Sequence, residues 1–181
     1  MNKKIIIILL FVLFFLLGFY FSHAQIQTMS SMRFDELKLT MPLDSVNRIL
    51  NANLKVKESK WEFSTDTIWT KYKGDSVRLV FDRFTNEKKQ LVCNLQNIYS
   101  TGKNIQTKSG IKYGDDKFDL IKKLDGSTLK ISPDWFFEQH PDKRSYSSVV
   151  LYDYSNYSII IFHFYQNRLY AFECAYTPDA E

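Results

Sequence analysis

Few residues in this chain have the types and spacing that metal binding requires. Of its three histidines, His23 lies in an apolar leader, and neither His140 nor His163 has a partner at a ligand spacing. A lone strand histidine is more often a hydrogen-bonded surface or interface residue than a ligand. The acidic pair Asp115 and Asp116 lacks the glycine and ligand positions of an EF-hand loop, and helix capping explains it more simply. The sequence therefore predicts no metal site.

Nucleophiles and phosphate-binding loops are equally sparse. The chain has no Gly-x-Ser-x-Gly elbow, and its six glycines form no phosphate-binding cluster. Cys93 and Cys174 lie among apolar residues, which raise a thiol's pKa and leave it inert. A disulfide between them stays open, because export permits one while a buried cysteine often acts as a small hydrophobe. We predict no catalytic residue, no cofactor and a non-enzymatic role, although carboxylates brought together only in space lie beyond the reach of the sequence.

The first 24 residues have the pattern of a signal peptide. Lys3 and Lys4 precede an almost unbroken apolar run over residues 5–21, and Ser22 and Ala24 put small residues where a signal peptidase reads. We expect cleavage before Gln25 and a periplasmic or secreted bacterial protein. The alternative is an uncleaved membrane anchor, since the apolar run is at the short limit for crossing a bilayer.

Charge argues against a nucleic-acid partner. The formal net charge is +4, and loss of the two leader lysines would leave +2. The remaining lysines, among them Lys55, Lys57 and Lys71, are spread among acids and aromatic residues and are typical of a solvated face. Nucleic-acid binding usually needs a concentrated basic patch.

Past the leader, the chain indicates an α+β fold of two tandem repeats, residues 25–100 and 101–181, which form one compact unit. Each repeat is predicted as a short helix or helix pair followed by a three- to four-stranded antiparallel meander. Residues 25–33 are predicted as a loose lead-in. Strands are predicted over residues 67–73, 77–84, 91–98, 149–154, 158–165 and 169–176, with a hairpin turn at Gly74 and Asp75.

Two short helices are predicted from apolar residues at helical spacing. The first places Pro42 at its first helical position, where a missing N–H costs nothing. The second is capped by Asp115 or Asp116 and turns Phe118 toward the core. A further helix start is predicted at residues 132–134, where serine, proline and aspartate follow one another.

A gapless comparison of the two halves favours duplication. The strands superpose when Phe81 is placed on Phe162, and the same spacing places Cys93 on Cys174. A Trp-x-Phe pattern that begins at Trp61 recurs in the second half at residues 135–137. Chance alignment of apolar runs is the alternative.

The resulting plan resembles the tandem-repeat architecture of the β-lactamase inhibitory protein and the small SmpA-type lipoproteins of outer-membrane assembly. The residues that carry the resemblance are 113–118, Ile121, Phe162, Asn167 and Arg168. The resemblance implies an exported binding module that holds a protein on its sheet face. The chain departs from it at Pro42, which replaces a turn glycine, and in having one cysteine in each half.

The predicted strands have one apolar face and one mixed face. On the mixed face the first half is basic and aromatic and the second is rich in tyrosine, so a large amphipathic surface is expected. The binding residues predicted there are Trp69, Tyr152, Tyr154, Ile161, His163 and Tyr165. The alternative is that this face is covered by residues 25–39, by residues 132–146 or by a second molecule.

Two functions follow from these features. The first is an exported, non-catalytic binding module that holds a protein or peptide partner, an unidentified envelope or extracellular protein, on its sheet face. The second is a carrier of a small ligand or lipid, with an apolar cavity between the helices and the sheet. The oligomeric state stays open.

Overall fold

The structure, a computed structural model, describes residues 26–57, 63–86, 88–124, 126–127, 129–133 and 145–177. These ranges contain two α-helices and eleven strands in two sheets, so the predicted α+β class is confirmed. None of the helices in these ranges is long and apolar enough to cross a membrane. The predicted signal peptide lies outside the described residues.

The elements follow one another along the chain with short strands first. The helices are α1 (Leu43–Leu50) and α2 (Lys117–Lys123). The strands are β1 (Gln27–Ser30), β2 (Arg33–Phe34), β3 (Leu37–Lys38), β4 (Phe63–Tyr72), β5 (Asp75–Thr85), β6 (Leu91–Ser100), β7 (Ile105–Gln106), β8 (Leu129–Pro133), β9 (Tyr146–Asp153), β10 (Ser158–Tyr165) and β11 (Arg168–Tyr176). A 3-10 turn, Tyr154–Asn156, separates β9 from β10.

One seven-stranded antiparallel sheet dominates the fold, in the order β4-β5-β6-β11-β10-β9-β8. The two predicted meanders meet where β6 pairs with β11, so the sheet is continuous across the two halves. Both two-residue hairpin turns have positive φ at both positions: Lys73 and Gly74 join β4 to β5, and Gln166 and Asn167 join β10 to β11. Such turns match the twist of the paired strands. The first turn lies one residue before the predicted Gly74-Asp75.

A four-stranded second sheet, ordered β3-β2-β1-β7, covers the core face of the large sheet. Its fully buried side chains join the same core cluster as Phe81 and Phe162; they are Met29, Phe34, Leu37 and Ile105. Residues 26–39 are therefore packed structure, and the loose lead-in predicted for residues 25–33 is wrong for residues 26–33. Burial of alternate apolar residues fixes this segment even though each of its strands is short.

Both helices lie where their capping residues predict, with corrections in detail. Asp116 caps α2 by accepting a hydrogen bond from the N–H of Phe118 at 2.9 Å. Phe118 itself is exposed, and Leu120 is the buried residue of α2, so the predicted core position of Phe118 is wrong. Pro42 is the residue before the first turn of α1 rather than its first helical residue.

The predicted third helix start is a strand. The serine and proline at 132–133 end β8, the outermost strand on one side of the sheet. Proline is tolerated on an edge strand because its missing N–H breaks no ladder hydrogen bond there. The rest of that segment, residues 134–144, lies outside the described residues.

The strand register corrects the gapless comparison of the two halves. Phe81 pairs with Leu95, whereas Phe162 pairs with Phe172. If Phe81 corresponds to Phe162, then Leu95 corresponds to Phe172, and the two cysteines do not correspond. A longer loop joins β5 to β6 than β10 to β11, and this difference shifts the last strand of each meander.

The cysteines are free. Cys174 pairs with Ile98 of β6, and Cys93 lies five positions away from Ile98 along the same strand. At roughly 3.3 Å per residue these side chains start about 16 Å apart, beyond the reach of a disulfide. Burial raises the pKa of the Cys174 thiol, which leaves it unreactive.

Candidate functional site

Five of the six predicted binding residues lie on one face of the large sheet, here called the outer face, which is opposite the core. A single cross-strand row of direct partners runs across it: Trp69, Arg78, Tyr99, Glu173, Ile161 and Val150. Directly opposed residues of antiparallel strands share a face. His163, Tyr165 and Tyr152 lie on the same face of β10 and β9. Tyr154 lies just beyond β9 in the 3-10 turn.

This face is open at its sides and closed at its centre. Trp69, on the edge strand β4, is 58% exposed, and Tyr154 is also exposed. Tyr152, Ile161 and Tyr165 are partly buried. His163 is only 3% exposed. Trp69 and Ile161 are four strands apart, about 19 Å at the usual strand spacing.

The centre of the outer face is buried, since His163 and Glu173 are each only 3% exposed. Residues 26–39, one of the predicted covers, pack against the opposite face and are excluded. Most of the second predicted cover, residues 132–146, lies outside the described residues. The predicted outer face thus combines a buried centre with exposed residues at its sides, Trp69 and Tyr154.

A buried polar cluster lies at this centre. The carboxylate of Glu173 receives three donors: His163 Nε2 at 2.8 Å, Arg78 at 3.0 Å and the side-chain amide of Asn97. Burial opposes ionisation of Glu173, but the hydrogen bonds from His163 and Asn97 and the charge of Arg78 hold its pKa below the ordinary value. The group is thus an ionised carboxylate in a dry setting.

Aromatic rings surround the cluster. The guanidinium of Arg78 lies 4.8 Å from the ring centre of Tyr99, which also meets His163 edge-on at 5.5 Å. Trp69 packs edge-on against the other side of Tyr99 at 6.1 Å. Rings and cluster hold one another in place, since cation–π and edge-to-face contacts restrict both partners.

The hydrogen bonds of this cluster link four neighbouring strands, β5, β6, β11 and β10. Both oxygens of Glu173 accept hydrogen bonds, and its lowered pKa makes it a weak base. Sequence reasoning singled out His163 but missed Glu173. A signal existed, because Glu173 is the one charged residue in an otherwise apolar and aromatic strand interior.

A second region is a cleft of about 600 Å³ on the core side, between β9, β10 and the segments that follow α2. Its apolar lining consists of Met29, Ile111, Leu124, Leu151, Ile160 and Phe162. Its rim carries hydroxyl and charged groups: Ser30, Ser31, Lys108, Ser109, Ser127, Asp153, Tyr154 and Ser155. The cleft was predicted only as a cavity between helices and sheet, without its residues.

The predicted residues Tyr152 and Tyr154 belong to the rim of this cleft. Their rings stack nearly parallel, 5.7 Å between centres. Asp153 between them accepts hydrogen bonds from Ser31 and Asn156, both at 2.8 Å. The hydrogen bond from Asn156 is the main cause that lowers the pKa of Asp153. Two of the six predicted binding residues therefore lie where a concave site exists.

The sequence was expected to lack a Ser-x-x-Lys motif, but it has three such spacings, which begin at Ser100, Ser109 and Ser127. None of them carries catalytic geometry. In acylating enzymes that pattern brings the serine and lysine together. Ser100 is fully buried and donates to the carbonyl of Ser76 at 3.3 Å, while Ser109 shares a 2.8 Å hydrogen bond with Thr107. None of the three serines lies in a helix, which would bring a lysine three residues later beside it.

Within the described ranges, histidine, cysteine and acidic side chains form no group of three or more that could hold a metal ion. Comparison of the chain with protein-family models, with curated proteins and with solved structures gave no match. The resemblance to the β-lactamase inhibitory protein and to SmpA-type lipoproteins therefore stays a prediction.

Proposed function

We propose that the chain is an exported, non-catalytic binding module that carries a small, largely apolar molecule in the cleft. The observation that supports this most strongly is the cleft itself, whose volume of about 600 Å³ falls in the range of small-molecule sites. Its floor is continuous with the core, because Met29, Ile160 and Phe162 are buried cluster members that also line it.

The lining favours a site formed before the ligand binds. Its floor comes from both sheets and from the end of α2, and each of these elements is fixed by core packing. A preformed site avoids the entropic cost of ordering a loop on binding. Apolar walls with a few polar groups at the mouth are typical of small-ligand sites.

Native mass spectrometry of the full chain recovered from its own host tests the carrier function. We expect a retained small molecule, and we expect the Ser127→Trp variant, which places an indole at the rim, to lose it. Thr65→Trp is the matched control, because Thr65 is exposed on the outer side of β4 and does not line the cleft. Wild-type protein that carries no molecule, or a Ser127→Trp variant that keeps it, would contradict the proposal.

Export is part of the same proposal and has its own test. The leader pattern supports cleavage before Gln25 and a periplasmic or secreted location. The intact mass of the protein recovered from the envelope fraction should correspond to a chain that starts at Gln25. A chain that keeps residues 1–24 would point to a membrane-anchored protein instead.

A protein partner on the outer face is the second candidate, and the exposed Trp69 supports it. Tryptophan is favoured as an interface anchor, and this ring is held from behind by Tyr99. Trp69→Ala should abolish cross-linking to an envelope protein while Ser127→Trp leaves it intact. A third variant replaces Tyr152, Tyr154 and Tyr165 together by serine. If all three variants give the same cross-linked species as the wild type, the outer face is not the partner site.

We also propose that the two halves are tandem repeats. Each half places a short helix before an antiparallel meander, and the two meanders join edge to edge at β6 and β11. The register of β5 with β6 differs from that of β10 with β11, so duplication requires that the loop between these strands changed length in one half. An experimental structure in which α1 with β4 and β5 fails to superpose on α2 with β9 and β10 would refute the duplication.

A further inference from the structure

We propose that the ligand of the cleft is a single-chain amphipath whose head is anionic, with Lys108 as the residue that binds the head. This inference depends on the carrier function proposed above and adds the chemical class of the ligand. Two features support it: which of the charged rim residues already has partners within the fold, and the shape of the apolar floor.

Among the described residues the rim has one positive side chain, Lys108, and one negative side chain, Asp153. The Oδ2 atom of Asp153 accepts hydrogen bonds from Ser31 and Asn156, so this charged group already has partners within the fold. Lys108 is exposed and forms no ion pair with any carboxylate of the described residues. The uncommitted charge at the mouth of the cleft is therefore positive.

The C-terminal end of α2 would otherwise oppose an anion, because unpaired carbonyls there carry partial negative charge. Here the last turn is closed by the chain. The N–H of Leu124 donates to Leu120 and Ile121, and the N–H of Ser127 donates to Leu124. The capped end presents fewer open carbonyls to the cleft, so Lys108 is the cation of the described rim with which an anionic head can pair.

The floor fits one hydrocarbon chain. Leu151, Ile160 and Phe162 line it from the large sheet, and Met29 and Ile111 face them from the covering segments. If a methylene occupies roughly the 30 Å³ share of a water molecule, a chain of about 12 carbons takes up somewhat over half of the cleft. A two-chain lipid would exceed that space.

Calorimetric titration of the full chain with a set of defined probes tests the class. Laurate and dodecyl phosphate carry anionic heads, and dodecyltrimethylammonium is the cationic counterpart of equal chain length. We expect one anionic molecule per chain, bound at least tenfold more tightly than the cation. From octanoate to laurate each added methylene should tighten binding about fourfold, because it moves into the apolar floor. Whichever of laurate and dodecyl phosphate binds more tightly identifies the head as a carboxylate or a phosphate.

Charge reversal locates the head. Lys108→Glu should weaken laurate at least tenfold and should not weaken the cation. Lys112→Glu, an equal charge change at a nearby exposed lysine outside the cleft, should alter either affinity less than twofold. Unchanged thermal unfolding of both variants by circular dichroism shows that the fold is kept.

The outcomes separate the ligand class from the carrier function. Equal affinity for laurate and the cation, or an unaltered laurate affinity in Lys108→Glu, would overturn the anionic class while a retained molecule in native mass spectrometry still supports a carrier. Absence of binding by every probe, together with absence of a retained molecule, would overturn both.

Discussion

Replacing Glu173 by glutamine should destabilise the protein far more than the same replacement at an exposed glutamate. The change keeps the shape of the side chain but removes the negative charge of the carboxylate. His163, Arg78 and Asn97 all donate hydrogen bonds to that carboxylate. It also turns one acceptor into an amide donor, which then faces existing donors. Glu173 is 3% exposed, so water cannot restore the lost bonds.

The expected loss follows from the burial of the partners. Breaking a buried ion pair by removing one member typically costs about 3–5 kcal/mol. The Arg78 side chain keeps 18% of its surface exposed, so water compensates part of its charge. We therefore expect a loss of about 2–3 kcal/mol in the free energy of unfolding at pH 7, slightly below the range for fully buried pairs. In urea this lowers the unfolding midpoint by about 1–2 M.

The loss should depend on pH with a definite sign. The pKa of Glu173 is lower in the folded protein than in the unfolded chain, where glutamate titrates near about 4.3. Its contribution is therefore complete above that unfolded value and is lost as the pH falls through the folded pKa. The difference in stability between wild type and Glu173→Gln should be full at pH 7 and smaller at pH 3. Asp153, whose pKa is also lowered, titrates in both proteins and cancels in the difference.

Glu36→Gln is the matched control for this measurement. Glu36 is 66% exposed at its side chain, and its ion pair with Lys73 spans 3.6 Å. Exposed pairs contribute only about 0–1 kcal/mol, so this variant should unfold almost as the wild type does. Urea unfolding, followed by circular dichroism at several pH values, measures the free energy of unfolding of both variants and of the wild type. A loss for Glu173→Gln no greater than that for Glu36→Gln, or one independent of pH, would refute the structural role of the cluster.

Three further predictions concern stability and reactivity. Leu95→Ala should lower the free energy of unfolding by about 2–5 kcal/mol, because Leu95 is fully buried. Leu91→Ala on the same strand should lower it by less than about 0.5 kcal/mol, since Leu91 is 64% exposed. Equal losses in urea unfolding would contradict the strand register. Asp116→Ala should cost about 0.5–2 kcal/mol by removing the cap of α2, and Asp116→Asn should restore most of it in the same assay. In thiol titration, Cys93, which is partly buried, should react before the buried Cys174, and both should react in denaturant; two equally fast thiols in the native protein would contradict the burial of Cys174.

Patterns within a few residues predicted most of the large sheet. Alternation of apolar and polar residues located β5, β6, β10 and β11, because a strand buried on one face repeats every second residue. The residue types at the turns located the hairpins to within one position. Where a prediction from the sequence was wrong, the cause was a register irregularity or a tertiary contact. A bulge opposite Val80 and Phe81 in the β5–β6 pairing changes the alternation along β6, so that both Leu95 and Ile98 lie in the core.

At the two candidate sites, too, the sequence predicted single residues but not the tertiary contacts between them. Sequence reasoning named His163 but not Glu173, because the two come together only when β10 pairs with β11 across a hairpin of fixed register. It named Tyr152 and Tyr154 for the outer face, whereas they also border a cleft formed with residues more than a hundred positions earlier in the chain, such as Ser31. Spatial proximity between distant segments leaves no periodic signal in a single sequence.

The sequence by itself determined the leader pattern, the class of fold, most strand positions and the scarcity of motifs for chemistry, since each depends on residue type and short-range spacing. Tertiary structure alone decided that residues 26–39 cover the core, that Phe118 points away from it, and that the centre of the outer face is buried. It also decided that the concave site lies on the other side of the sheet. The physical reason is that burial is a property of what packs against a residue, and that partner is chosen by strand order and register.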